Sequence, residues 1–193
     1  MATLHFICGK AASGKTTLAR ELVARHAAVL FCEDEWLTLL EADINNLADF
    51  ARCSKRLRAA LAPHAVRLLQ LGMPIVFDFA GNAPKGRAWV RSIFESADAD
   101  HVLHCIVASD ELCKARLRLR NATKPEGLYY GLVTEDRFDE VTRYFDPPSD
   151  QEKFNVIYYD ADVPLSQNRS FRRGCEGTFQ PRHRTLCWRS VEK

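Results

Sequence analysis

The sequence predicts an α/β fold in which helices cover both faces of a parallel β-sheet. Short apolar segments alternate with helix-like segments along residues 1–160. The apolar segments are nearly continuous rather than alternating, which is typical of parallel strands that are buried on both faces. A glycine-rich turn follows the first apolar segment and precedes the first helix-like segment, an arrangement that suits phosphate binding.

Five strands and five helices are predicted from the apolar patterns. Pro63 lies inside the second helix and is expected to kink or restart it, because proline cannot donate the backbone hydrogen bond. Ser109 is expected to cap the fourth helix. Segment 121–134, which contains glycine and proline, is expected to be a mobile loop. The predicted strands are 3–8, 29–32, 74–79, 101–107 and 154–159, and the helices are 15–26, 47–71, 87–97, 110–121 and 135–144.

Length and composition indicate one globular domain, since the chain has 193 residues, of which 47% are hydrophobic and 27% charged. The net charge of +2 neither favours nor excludes a polyanionic partner. The seven cysteines are odd in number and include no CxxC pair, which argues against a disulfide framework and against a zinc site. Neither a signal sequence nor an apolar segment of about 18 residues occurs, so a cytoplasmic location without membrane association is predicted.

The C-terminal segment 166–193 differs in composition from the rest of the chain. It contains seven Lys or Arg residues and two acidic residues, a local charge of +5, which leaves −3 for residues 1–165. Apolar periodicity also ends there. We therefore expect a domain of residues 1–165 followed by a loosely ordered basic tail. The alternative is a basic arm that binds nucleic acid or an acidic partner.

The glycine-rich turn matches the phosphate-binding pattern GxxxxGK[ST], and a chance match in a chain of this length occurs on the order of once in 100. In such loops, successive backbone N–H groups and the helix N-terminus face the phosphates. Lys15 is expected to reach the β- and γ-phosphates, and the Thr16 hydroxyl to bind Mg²⁺. The motif therefore predicts a P-loop NTPase fold that binds ATP and Mg²⁺. The predicted nucleotide-binding residues are Gly9, Lys10, Ala11, Ala12, Ser13, Gly14, Lys15, Thr16 and Thr17.

Two aspartates follow predicted strands, Asp34 after the second strand and Asp78 at the end of the third. Ligands of open α/β sheets bind beyond the carboxyl ends of the strands, so both side chains are expected to face the phosphates. Asp78 is the candidate Mg²⁺ ligand beside Thr16. The alternative for each aspartate is a helix cap or a solvated turn residue.

Three arginines on the fourth helix differ in their predicted orientation. At 100° per residue, Arg116 and Arg120 fall inside the apolar arc of the helix, whereas Arg118 falls outside it. A solvated run of charges would place all three outward. We therefore expect Arg116 and Arg120 to clamp phosphates. The alternative is that they are surface arginines with partly buried stems.

Over residues 1–160, the chain resembles the small P-loop kinases grouped with zeta toxins and chloramphenicol phosphotransferase. The phosphate loop is specific to the whole superfamily, and the other matching segments are moderately specific. Segment 166–193 has no counterpart in this group. The segments that carry the resemblance are 9–16, 32–35, 77–82 with Arg87, 116–121 and 145–148.

The resemblance implies a five-stranded parallel sheet in the order 2-3-1-4-5, with a helical insert and a lid. It implies that Asp34 takes a proton from a substrate hydroxyl and that Arg116 and Arg120 belong to the lid. Arg87 would contact the substrate or a phosphate. Acceptor residues do not carry over, because the helical insert at 37–72 differs among these families.

These observations predict an ATP- and Mg²⁺-dependent kinase with Lys15, Asp34, Arg116 and Arg120 as catalytic residues. The acceptor would be a hydroxyl group of a small molecule, such as an antibiotic, a nucleotide-sugar or a metabolite. One alternative is a nucleotide-dependent ATPase or switch that binds a partner. Another is a nucleic-acid end kinase that uses the basic tail, which the −3 charge of residues 1–165 disfavours.

Overall fold

A computed structural model describes residues 1–40, 44–79, 81–124, 133–161 and 171–172. Strands and helices alternate along most of the chain, as the sequence predicts. The strands are β1 (Thr3–Cys8), β2 (Val29–Cys32), β3 (Ile75–Asp78), β4 (Asp100–Val107), β5 (Val156–Asp160) and β6 (Phe171–Arg172). The helices are α1 (Lys15–His26), α2 (Glu33–Leu39), α3 (Leu47–Gln70), α4 (Pro84–Ser96), α5 (Asp110–Thr123) and α6 (Glu135–Thr142), with a 3-10 turn at Asp150–Glu152.

The first five strands form a parallel sheet in the order β2-β3-β1-β4-β5, which confirms the predicted topology. The pair β5–β6 is antiparallel and joins Tyr158 to Phe171 and Ile157 to Arg172. This short strand, which the sequence analysis did not predict, lies within the segment expected to be a loosely ordered tail. The remainder of that tail, and residues 125–132 of the expected mobile loop, lie outside the described residues.

Apolar side chains fill both faces of the sheet. Phe6 of β1 and Phe77 of β3 pack with α3 and α4 on one face, whereas Ile7 of β1 packs with Leu18 and Leu22 of α1 on the other. Consecutive residues of a strand point to opposite faces, so a continuous apolar run supplies both cores. None of the helices in the described ranges is long and apolar enough to cross a membrane.

Helix α3 continues through Pro63, so the expectation of a restarted helix is wrong. Pro63 and Ala59, the residue whose carbonyl loses its partner, are both exposed. Water can therefore satisfy that carbonyl. Ser109 caps α5 by accepting a hydrogen bond of 3.3 Å from the Leu112 backbone nitrogen, as predicted. Helix α2 was not predicted, and its first turn contains the acidic residues that follow β2.

Candidate active site

The turn between β1 and α1 has a backbone that few residues other than glycine can adopt. Gly9 has a φ of 154° and Gly14 a φ of 110°, and Ala12 is left-handed with a φ of 56°. A Cβ atom on Gly9 would lie 2.7 Å from Ser13 Oγ and 3.1 Å from the Ile106 carbonyl oxygen. The loop thus wraps closely around itself, and glycine is required where it leaves β1.

Lys15 lies across the inside of this loop. Its Nζ atom donates hydrogen bonds of 2.9 Å to the Gly9 carbonyl and 2.7 Å to the Lys10 carbonyl. Burial lowers the pKa of Lys15, and the negative charges of Asp78 and Asp34 oppose this effect. The ammonium group is therefore held, largely desolvated, at the centre of the loop, where an anionic ligand would interact with it strongly.

The other loop side chains differ in exposure. Ser13 is buried, and its Oγ atom has no hydrogen-bond partner among the described residues. Thr16 is half-buried in the first turn of α1, whereas Thr17 is exposed. Lys10 pairs with Asp110 at 2.5 Å and so connects the loop to the first turn of α5. The unpartnered Ser13 hydroxyl and the tight glycine turn fit a loop that receives phosphate oxygens.

Asp34 and Asp78 lie at the same edge of the sheet as the loop. Cys32 and Asp78 are register partners at the ends of β2 and β3, and Asp34 follows two residues after Cys32. Asp78 is buried, and its Oδ2 atom lies 3.8 Å from the Cys32 sulfur, which donates to it. The two predicted carboxylates are therefore neighbours, and both interact electrostatically with Lys15.

Desolvation by the surrounding protein and the negative charges of Asp78 and Glu33 raise the pKa of Asp34 to about 6. The positive charges of Lys15 and Arg120 oppose this shift. Asp34 is nevertheless exposed to solvent. An accessible carboxylate with a pKa near neutrality can both accept and release a proton under ordinary conditions. Asp34 therefore has the chemical properties of a general base.

The three arginines of α5 have the burial that the helical pattern predicts, since Arg116 and Arg120 are half-buried and Arg118 is exposed. Arg116 donates hydrogen bonds of 3.0 Å to the Ser13 carbonyl and 2.8 Å to the Ala161 carbonyl. The buried Nε atom of Arg120 has no hydrogen-bond partner in the described part of the chain. Arg118 instead pairs at 2.5 Å with Glu135 of α6.

Arg87 does not lie at the site, and the expectation that it contacts substrate is wrong. Its side chain is 0% exposed and forms a bidentate ion pair with Glu152. The Nε and Nη2 atoms of Arg87 each donate to one carboxylate oxygen at 2.7 Å. It also donates to the carbonyl oxygens of Gly81 and Asp146. Every one of these contacts is internal, so Arg87 joins α4 to the segment that precedes β5.

The sequence analysis did not predict the polar contacts of two residues at this edge, Asn82 and Glu33. Asn82 accepts a hydrogen bond of 2.9 Å from the Gly9 backbone nitrogen and so supports the start of the loop. Glu33 is only 2% exposed and is bound by Ser54 and Arg58 of α3. No motif indicates these partners, because each pair is separated by more than 20 residues along the chain.

The chain belongs to the AAA domain family, whose sequence profile matches residues 4–148. Sheet order and phosphate loop together define a P-loop NTPase fold of the kinase type. No curated protein matches the sequence. The more specific group of zeta toxins and chloramphenicol phosphotransferase is not identified by these comparisons.

Solved structures share this fold at low sequence identity. A putative kinase from Chloroflexus aurantiacus has a TM-score of 0.67 and 18% identity, covering 86% of this chain and 88% of that chain. Kti12 from Chaetomium thermophilum, in complex with ADP-AlF3, has a TM-score of 0.65 and 16% identity, covering 85% and 92%. A gluconokinase from Sinorhizobium meliloti has a TM-score of 0.57 and 13% identity, covering 86% of each chain.

Proposed function

We propose that this chain is an ATP- and Mg²⁺-dependent phosphotransferase that phosphorylates a hydroxyl group of a small molecule. The observation that carries the proposal is the position of Asp34. It is an accessible carboxylate with a pKa of about 6, and it interacts electrostatically with the phosphate-loop lysine, Lys15. A carboxylate of this kind can take a proton from an acceptor hydroxyl, which nucleotide binding alone does not require.

Each candidate residue has a role that suits its surroundings. The loop N–H groups and Lys15 would hold the β- and γ-phosphates, and Arg120 would add positive charge where the γ-phosphoryl group moves. Asp34 would orient the acceptor hydroxyl and take its proton. Thr16 and Asp78 are suited to hold Mg²⁺, which would neutralise charge on the phosphate oxygens when bound.

The nature of the acceptor is part of the proposal. Antibiotics, nucleotide-sugars and hydroxylated metabolites are the candidates, in keeping with the resemblance to zeta toxins and chloramphenicol phosphotransferase. The fold shared with a gluconokinase supports small-molecule phosphorylation in general terms. A cytoplasmic location, where ATP is abundant, fits this activity.

A second candidate is an ATPase whose nucleotide state controls the binding of a partner. The fold shared with Kti12, which was crystallised with ADP-AlF3, is compatible with it, because that likeness supports nucleotide binding and indicates no acceptor. Such a module would hydrolyse ATP slowly, and its rate would depend on the partner rather than on a small acceptor.

The decisive experiment is an ATP-consumption screen across hydroxylated antibiotics, nucleotide-sugars, metabolites and oligonucleotides. The kinase predicts that one class of small molecule raises ADP release strongly and is recovered as a phosphate ester. The Lys15→Ala variant should lose this activity and keep its fold, and Lys85→Ala, which changes an exposed lysine on α4, is the matched control. Slow hydrolysis that no small molecule stimulates supports the ATPase instead, and phosphorylated oligonucleotides would indicate an end kinase.

A further inference from the structure

We propose that Arg58 and Ser54 of α3 are positioning residues that hold Asp34 in place through the neighbouring Glu33. The inference rests on the proposed function, because it concerns the residue that would deprotonate the acceptor. Helix α3 would then have a second role besides covering the sheet, since it would set the orientation of the catalytic carboxylate.

Ser54 and Arg58 bind the carboxylate of Glu33 with three hydrogen bonds. The Nε atom of Arg58 donates to Oε1 of Glu33 at 3.1 Å, and Nη2 donates to Oε2 at 3.4 Å. The Ser54 hydroxyl donates a short hydrogen bond to Oε1 of the same carboxylate. Ser54 and Arg58 are one turn apart on α3, so side chains on a single helix face donate hydrogen bonds to both carboxylate oxygens of Glu33.

Arg58 is itself fixed on a rigid support. Its guanidinium carbon lies 5.1 Å from the ring centre of Trp89 and 5.5 Å from that of Phe79, which are cation–π distances. Phe79 immediately follows Asp78 at the end of β3, and Trp89 belongs to α4. Arg58 therefore connects α3 to the ends of both strands, β2 and β3, that supply the site carboxylates.

Helix α2 is short and has few buried side chains to fix its position. It contains seven residues, and only Glu33 and Leu37 among them are buried. Asp34 follows Glu33 directly, so a displacement of the Glu33 side chain and backbone is passed to Asp34 across one peptide bond. A misplacement of about 1 Å in a catalytic group can lower a rate by about 100-fold.

A purely structural role explains this arrangement less well. Buried ion pairs lose much of their attraction to desolvation, and well-packed apolar residues often stabilise a fold as much. A directional clamp of three hydrogen bonds, in contrast, fixes the orientation of Glu33, which an apolar contact would not do. Fixed orientation of Glu33 is what positioning of Asp34 requires, whereas stabilisation of the fold alone does not require it.

The test compares Arg58→Gln, Arg58→Lys and Ser54→Ala with Arg52→Gln, a control on the same helix whose side chain is 51% exposed and pairs with Asp49. Acceptor-dependent turnover, acceptor KM, ATP affinity and melting temperature are measured for each variant. We expect Arg58→Gln to lower kcat by about 10- to 100-fold, with acceptor KM and ATP affinity within about threefold of wild type. Arg58→Lys should recover part of the loss, and Ser54→Ala should show a smaller loss of the same kind.

The single variant Glu33→Gln and the double variant Glu33→Gln/Arg58→Gln complete a double-mutant cycle, and the loss of kcat in the double variant should be far smaller than the product of the two single losses. The inference is overturned if kcat of Arg58→Gln and Ser54→Ala matches that of Arg52→Gln, or if acceptor KM alone rises, which would mean that Arg58 binds the acceptor. Should Arg58→Gln fail to fold, Ser54→Ala decides the question, since it keeps the ion pair. A wild-type protein without any acceptor turnover instead removes the proposed function, and the inference with it.

Discussion

The guanidinium of Arg116 donates a hydrogen bond of 3.0 Å to the backbone carbonyl of Ser13 in the phosphate loop. Its other terminal nitrogen binds the Ala161 carbonyl just beyond β5. Arg116 thus connects helix α5 to the loop and to the end of β5 through two backbone carbonyl oxygens, and both of these acceptors are uncharged. Arg120, one turn further on, has a buried Nε atom without a hydrogen-bond partner among the described residues. Arg116 therefore uses two of its nitrogens in internal hydrogen bonds, whereas the Nε atom of Arg120 could still donate to a ligand.

We expect Arg120→Ala to lower acceptor-dependent turnover on the order of 100-fold, as when one donor to a developing charge is lost. Arg118→Ala should stay near the wild-type rate, because Arg118 is 65% exposed and pairs with Glu135. Steady-state kinetics at saturating ATP measure both. Equal losses at the two positions would mean that this stretch of α5 is an ordinary charged surface.

Asp34→Asn and Asp78→Asn should affect different steps. The first should keep ATP affinity within a few-fold and reduce phosphoryl transfer by about 100-fold or more, because it removes the base. The second should raise the Mg²⁺ concentration needed for half-maximal activity, because it removes a metal ligand. Titrations with Mg²⁺ compare the two variants, and identical curves would contradict this division of roles.

Arg87→Gln should destabilise the protein by about 3 to 5 kcal/mol, because it leaves Glu152 without its charged partner and removes a fully buried guanidinium. Chemical denaturation measures the change. The matched control is Arg118→Gln, whose ion pair is exposed and should contribute little. Full stability of Arg87→Gln would show that the ion pair is not a structural connection between α4 and the segment that precedes β5.

Stability should fall with acid because of two buried histidines. His5 Nδ1 lies 3.0 Å from His104 Nε2, and His104 Nδ1 lies 2.8 Å from the Tyr159 hydroxyl. Burial lowers the pKa of His5 to about 4 and that of His104 to about 3, and the nearby His26 contributes to both shifts. Between these values and pH 6.5, the unfolded chain binds more protons than the folded chain. The contribution of the two neutral histidines to the free energy of unfolding is therefore fully present above about pH 6.5 and is lost as pH falls.

The loss at pH 5 should be up to about 2 kcal/mol for each histidine. Denaturant titrations at pH 7.5 and pH 5 measure it. His104→Gln should give a flatter dependence on pH, although its stability at pH 7.5 is lower. His64→Gln, at an exposed position on α3, should follow the wild-type curve. A wild-type protein with equal stability at both pH values would contradict the assignment.

Deletion of residues 166–193 should leave ATP binding intact and change the melting temperature by only a few degrees. The loop and the five parallel strands precede this segment, and β6 contributes just two register pairs to the sheet edge. Loss of about 1 kcal/mol shifts the melting temperature of a domain of this size by about 2 to 4 °C. Calorimetry and trypsin digestion provide the measurement, and a protected tail or a large shift would mean that the segment is an integral part of the domain.

The fold was predictable because its signals are local. Five apolar runs and one glycine-rich loop are enough to predict the strand positions, whereas the strand order was implied by the resemblance to small P-loop kinases. Asp34 and Asp78 were predictable because each directly follows a strand. The ion pair between Arg87 and Glu152 was not predictable, because it depends on packing between segments 65 residues apart in the sequence. Glu33 lies among three consecutive acids, and only the tertiary structure distinguishes it as the buried one.

The proposed base Asp34, the aspartate Asp78 and the side chains that bind Glu33 all lie in one stretch, residues 33–79, and only Trp89, which packs on Arg58, comes from elsewhere among these described contacts. The phosphate loop and the α5 arginines lie outside it. Recombination between related genes could therefore exchange this stretch as a cassette. The recipient would keep its phosphate loop and α5 arginines, and the exchanged stretch would have to supply equivalents of Asp34, of Asp78 and of the Glu33–Arg58 pair.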